Sequence, residues 1–112
     1  MSEEIRKWLT DVADAIAHID VHLGGQRDFS VYQQSITIQR AVERELEIIG
    51  EAINRILKVD DTIAITNARR IVDLRNRVIH AYDAVDEVIV WSVVIKSLPV
   101  LRDEVNQLLM GE

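Results

Sequence analysis

Between residues 69 and 82 the chain gathers the side chains that handle phosphate and protons. The run is Arg69-Arg70-Ile71-Val72-Asp73-Leu74-Arg75-Asn76-Arg77, followed by His80 and Tyr82. Four arginines and one aspartate give residues 69–77 a charge of +3 in a chain of net −6. The planar guanidinium fork suits phosphate oxygens, and an imidazole of ordinary pKa takes and gives protons near neutrality. An arginine stabilising charge on a phosphate and a histidine moving a proton suffice to cut RNA through its own 2′-hydroxyl, without a metal. At about 100° per residue, Asn76 and His80 share a helix face at i, i+4, and Arg75 and Tyr82 share another two turns apart. Arg75 and His80 therefore diverge on an ideal helix. They converge on one phosphate if the helix end unwinds, or if two subunits supply them jointly. The same arginines also fit a solvated face answering Glu43, Glu45 and Glu47 on the preceding helix.

Other candidates are weaker. Asp14, His18 and His22 lie at i, i+4, i+8, and two histidines at i, i+4 can share a zinc ion. No glutamate follows the first histidine as in the helical zinc proteases, so a solvated polar face is the expectation and no metal site is assigned. Gly24-Gly25 lacks the lysine and preceding strand of a phosphate-binding loop. Trp8 and Trp91 occupy apolar helical positions, which suits core packing or a dimer seam. Tyr32 sits near a helix start with no evident partner.

The elements that must position these residues read as helices. One proline and four glycines in 112 residues leave few breakers, which disfavours a many-turned β fold. The first helix runs from about Glu3 to His22, with Ile5, Trp8, Leu9, Val12, Ile16, Ile19 and Leu23 on one face and Gly24-Gly25 ending it. Ser30 and Gln33 fit a capping box. From there the pattern stays helical to about Leu57, with a break near Ser35. Ile38, Val42, Leu46, Ile49, Ile53 and Ile56 form its main face, and Ala41, Ile48 and Ala52 a second. A helix apolar on two faces packs against two layers, or against one layer and a partner subunit. Gly50 lies inside it, where a close helix–helix approach or plain tolerance would account for it.

Asp60-Asp61-Thr62 reads as a loop and candidate cap. A third helix begins between Thr62 and Asn67 and ends near Tyr82, with Ile71, Leu74, Val78 and Ala81 inward. Asp86 caps a last helix from Glu87 to about Met110, which Pro99 should bend by removing a backbone bond. The expectation is one all-α domain over residues 1–112, an up-and-down bundle of four or five helices.

Composition sets outer bounds. There is no cysteine, which excludes disulfides, thiolate metal sites and cysteine nucleophiles. The charged start, Met1 to Lys7, has no signal-peptide pattern, and no apolar run is long enough to span a bilayer. The expected place is the cytoplasm. Thirteen basic against nineteen acidic residues argue against a general nucleic-acid coat protein, but not against a local basic site.

Three stretches carry a resemblance. Arg75-Asn76-Arg77-Val78-Ile79-His80-Ala81-Tyr82 resembles the Arg-x4-His-x-Tyr motif of the HepT-type HEPN toxins. Gln39-Arg40-Ala41-Val42-Glu43-Arg44 and Leu46-Glu47-Ile48-Ile49-Gly50-Glu51-Ala52 resemble that family's second helix. Val85-Asp86, Val90-Trp91 and Leu98-Pro99-Val100-Leu101 are similar to its last. The resemblance implies a HEPN-like helical bundle and a homodimer whose Arg and His motifs line one cleft. It implies a metal-independent endoribonuclease with no cofactor, the toxin of a toxin–antitoxin pair. It further implies an MntA-like nucleotidyltransferase antitoxin that adenylylates the motif tyrosine. By that likeness Arg75 holds the scissile phosphate and His80 is general acid or base. Asn76 orients one of them, Tyr82 is the regulatory acceptor, and Arg70 and Arg77 add contacts to the RNA substrate. The alternative is a non-catalytic helical binding partner of a nucleotidyltransferase, against which the intact Arg75, His80 and Tyr82 set weighs.

Overall fold

The structure, a computed structural model, describes residues 1–80 and 86–111, with side chains for all of these except 77–80. The described residues form an all-α bundle. Its elements are α1 (Glu3–His22), α2 (Phe29–Gln34), α3 (Ile36–Val59), α4 (Ala68–His80), α5 (Glu87–Ser92), a π-helical turn (Val93–Ser97) and α6 (Leu98–Met110).

The helix ends follow local chemistry. Ser2 Oγ accepts the backbone N–H of Ile5 at 3.1 Å and starts α1. Gly24 and Gly25 stop it at positive φ, 66° and 75°, where a side chain would be strained. The expected Ser30 capping box is replaced by an earlier cap: Asp28 Oδ1 accepts from the backbone N–H of Ser30 at 2.9 Å and of Val31 at 3.4 Å. A carboxylate at the N-terminus also meets the helix dipole, which a hydroxyl does not. The break expected near Ser35 is present. Ser35 leaves helical geometry (φ −119°, ψ 106°) and its side chain caps α3 through the N–H of Ile38. Gln39 Nε2 then donates to the carbonyls of Tyr32 and Gln33, satisfying the orphan end of α2.

Asp60 ends α3 and does not cap the next helix; its carboxylate instead accepts the N–H and hydroxyl of Thr62. These hydrogen bonds hold the Asp60 carboxyl below its usual pKa. Asn67, at φ 61°, immediately precedes α4. Thr66 is tied to α6, its N–H and hydroxyl both donating to Glu104. Asp86 caps α5 as expected, accepting from the backbone N–H of Val88 and Ile89.

Pro99 does perturb the last helix. The ladder widens to a π turn, in which Leu98 N–H reaches back to Val93 O, and α6 restarts with the proline in its first turn, where its missing N–H costs least.

The core lies between α1, α3, α4 and the α5–α6 rod. Leu9, Val12, Ile19, Ile49, Ile53, Ile56, Val90, Leu101 and Val105 are at most 1% exposed. The two apolar faces of α3 are both used within the chain, one against α1 and the other against α4. Tyr32, which has no sequence-evident partner, is 1% exposed. Its ring centroid lies 5.3 Å from Trp91 and 6.4 Å from Phe29. Burial first, then the Glu43 and Glu87 charges, push the Tyr32 hydroxyl above its usual pKa. No helix among the described residues is long and apolar enough to cross a membrane.

Candidate active site

Arg75 is seated where α4 crosses α3. A methyl group at Gly50 would overlap Arg75 Cβ and lie 2.6 Å from its Cγ and 3.4 Å from the carbonyl of Ile71. Only a residue without a side chain lets the two helices meet this closely. Of the two readings of Gly50, the close approach is the one found, and the atoms it admits are the stem of the motif arginine.

That seat fixes the guanidinium. Arg75 is half-buried; its Nε is enclosed with no hydrogen-bond acceptor among the described residues. Its Nη1 donates to Asn76 Oδ1 at 3.1 Å. Asn76 itself is exposed. A buried N–H without an acceptor is costly, so this guanidinium is held in place with part of its donor set unused.

The idea that the arginines of α4 answer the acids of α3 fails on partners. Glu43 pairs with Arg40 at 3.0 Å and Glu47 with Arg44 at 3.2 Å, both within α3. Glu45, 8% exposed, receives His22 Nε2 at 3.1 Å and His18 Nδ1 at 3.5 Å from α1. Arg69, Arg70 and Arg75 have no ion pair among the described residues. These three arginines are therefore available to an outside anion. His18 and His22 serve Glu45, and no group of three or more His, Cys, Asp or Glu among the described residues is arranged to hold a metal. Burial is the largest influence on Glu43 and raises its carboxyl pKa; Arg40 opposes this, while Glu47 and Glu87 add to it.

The backbone of α4 remains helical through His80. The helix does not unwind before the histidine, so five residues separate it from Arg75, about 140° around the axis and about 7.5 Å along it. The side chains of His80 and Arg77 are outside the described set, and Tyr82 lies outside the described residues altogether. What the sequence did not reveal is a groove of about 610 Å³ between α4 and the α5–α6 rod, lined by Arg70, Ile89, Ser92, Val93, Lys96 and Ser97 among others. A narrower lobe of about 260 Å³ runs on toward Asp73 and Leu74. Pro99, three residues after Lys96, was the only sequence signal that this stretch is irregular.

Similarity to known proteins bears on what this arrangement does. A family model described as Ribonuclease HepT-like matches residues 12–108. The Methanocaldococcus jannaschii protein named "Putative RNase MJ1380" is 29% identical over 105 residues, 92% of this chain and 94% of its own. "Putative RNase TTE0752" of Caldanaerobacter subterraneus subsp. tengcongensis is 31% identical over 85 residues, 75% of this chain and 76% of its own. "Putative RNase MJ0125", also from M. jannaschii, is 25% identical over 107 residues, 95% of this chain and 91% of its own. No solved structure matches the chain significantly. With the family model spanning all but the ends, and an arginine-bearing helix seated on a glycine in the fold's centre, the chain belongs to the HepT-like ribonuclease family.

Proposed function

We propose that this protein is the toxin of a toxin–antitoxin pair, a metal-independent endoribonuclease acting as a homodimer in the cytoplasm. The observation that carries the reading is Arg75: its stem is seated on Gly50, and its guanidinium is held by Asn76 and unpaired with any carboxylate among the described residues. Arg75 binds the scissile phosphate and stabilises the charge that builds there as the 2′-oxygen attacks. His80 moves the proton, as base toward the 2′-hydroxyl or as acid toward the leaving 5′-oxygen. Asn76 positions Arg75. That α4 stays helical to His80 supports a cleft between two copies in which the arginine of one subunit meets the histidine of the other. A twofold axis repeats the +3 segment as +6, which draws RNA to a protein otherwise acidic.

Control falls to Tyr82. A nucleotidyltransferase antitoxin transfers an adenylate from ATP to its phenolic oxygen, with pyrophosphate leaving. The added phosphate repels an RNA backbone and the added base fills the cleft. The test is expression without the antitoxin. The wild type should arrest growth, and Arg75→Ala and His80→Ala should not. Intact mass after incubation with the antitoxin and ATP should rise by adenylate units for the wild type and stay unchanged for Tyr82→Phe. Growth that continues with folded wild-type protein would leave the non-catalytic partner of a nucleotidyltransferase as the better reading.

A further inference from the structure

We infer that the groove between α4 and the α5–α6 rod is a second RNA subsite, holding the strand a few nucleotides from the scissile phosphate. Arg70 and Lys96 take a flanking phosphate there, and Ile89 and Val93 lie under the neighbouring sugar and base. This rests on the ribonuclease reading and adds to it a place for the substrate beyond the cut.

Four observations converge on this groove. Its volume, about 610 Å³, admits a nucleotide unit, within the ordinary range of ligand sites. Its two cations come from different elements and face one space. Both are exposed, and neither has a carboxylate partner among the described residues. Two like charges gathered without a counter-ion in a chain of net −6 mark a place where an anion is supplied from outside. Hydroxyls of Ser92 and Ser97 line the same space, donors of the kind that bind phosphate and sugar oxygens.

The groove is also connected to the cut. Arg70 precedes Arg75 on the same helix by five residues, about 7.5 Å along the axis and about 140° around it, so the two arginines lie on different faces of α4 a few nucleotides apart along a strand. A strand leaving Arg75 reaches Arg70 by wrapping over the exposed surface of α4. Asp73, in the narrow lobe, keeps the anionic path to the Arg70–Lys96 side. The wall carrying Ser92, Lys96 and Ser97 is the π turn and its first flank, and such turns within helices cluster at functional positions. None of the described residues that line the groove is aromatic, so the base is held there by aliphatic contact without stacking and the subsite should be indifferent to base identity.

The test uses the full chain carrying His80→Ala, so that bound RNA is not cut. Anisotropy is measured on fluorescent single-stranded RNA, about ten nucleotides long, and on a dinucleotide. Lys96→Glu and Arg70→Glu should each weaken the long strand about tenfold. Each should also lower the slope of log affinity against log salt by about one. Dinucleotide binding should not change in Lys96→Glu. With His80 restored, both substitutions should raise KM for long RNA, and Lys96→Glu should leave dinucleotide cleavage as in the wild type. Affinity and salt slope equal to those of the His80→Ala parent would overturn the subsite while leaving the ribonuclease intact. A parent that binds no RNA of either length would instead overturn the ribonuclease reading and the subsite with it.

Discussion

Gly50 and Arg75 form a single structural unit, and a substitution at either should be felt at both. Alanine favours a helix over glycine by about 1 kcal/mol, so on propensity alone Gly50→Ala would stabilise α3. The added carbon would, however, overlap Arg75 Cβ, an atom attached directly to the α4 backbone that cannot rotate away. Overpacking costs about 1–3 kcal/mol, so Gly50→Ala should lower Tm and weaken RNA cleavage, where Gly111→Ala, near the chain end, should do neither. Asn76→Ala frees the guanidinium at Nη1; it should cut the cleavage rate more than it lowers Tm. The sequence displayed Arg75 and Asn76 as neighbours, and flagged Gly50 as out of place. It did not show that they touch, because contact between residues 50 and 75 depends on how two helices cross. Likewise Glu45 was read as a counter-charge for the arginines, when the packing of α1 on α3 assigns it to His18 and His22.

At the scale of elements, a charge at the edge of the core makes the fold respond to pH. Glu43 has a folded-state pKa raised chiefly by burial. A carboxyl raised in this way favours the folded state below its unfolded pKa, and that contribution is lost as pH rises through the folded value. Glu43→Gln cannot ionise, so its Tm relative to wild type should be higher at pH 7 than at pH 4, as thermal melts at the two pH values would show. The reverse order would contradict the assignment. Asp86→Ala removes the acceptor for two backbone N–H groups at the start of α5 and should cost about 1 kcal/mol.

The helices were legible because apolar residues recur on one face, and because Gly24-Gly25, Ser35 and Asp86 are strong local punctuation. Asp28 and Ser30 are both good cap residues, and only the folded geometry decides that the Asp28 oxygen reaches the amides. Pro99 announced a disturbance but not its form. A bend and a widened turn both accommodate a missing N–H, and the choice depends on keeping Val94 and Leu98 inward, 1% and 3% exposed.

The molecule as a whole is acidic with one basic helix, and that asymmetry sets its dealings with RNA. Affinity for RNA should fall steeply with salt, because the attraction is carried by a few cations releasing counter-ions. In sedimentation the protein should run as a dimer, and the dimer should persist in Arg75→Ala, since the proposed role of that side chain is toward phosphate and not the interface. The most direct trial of the central claim is cleavage of total cellular RNA by protein made without any nucleotidyltransferase partner, in excess chelator, with intact mass showing an unmodified Tyr82. The account predicts cutting by the wild type and a loss of at least about a hundredfold in both Arg75→Ala and His80→Ala. Folded dimer that leaves RNA whole, or cutting that survives either substitution, would contradict it.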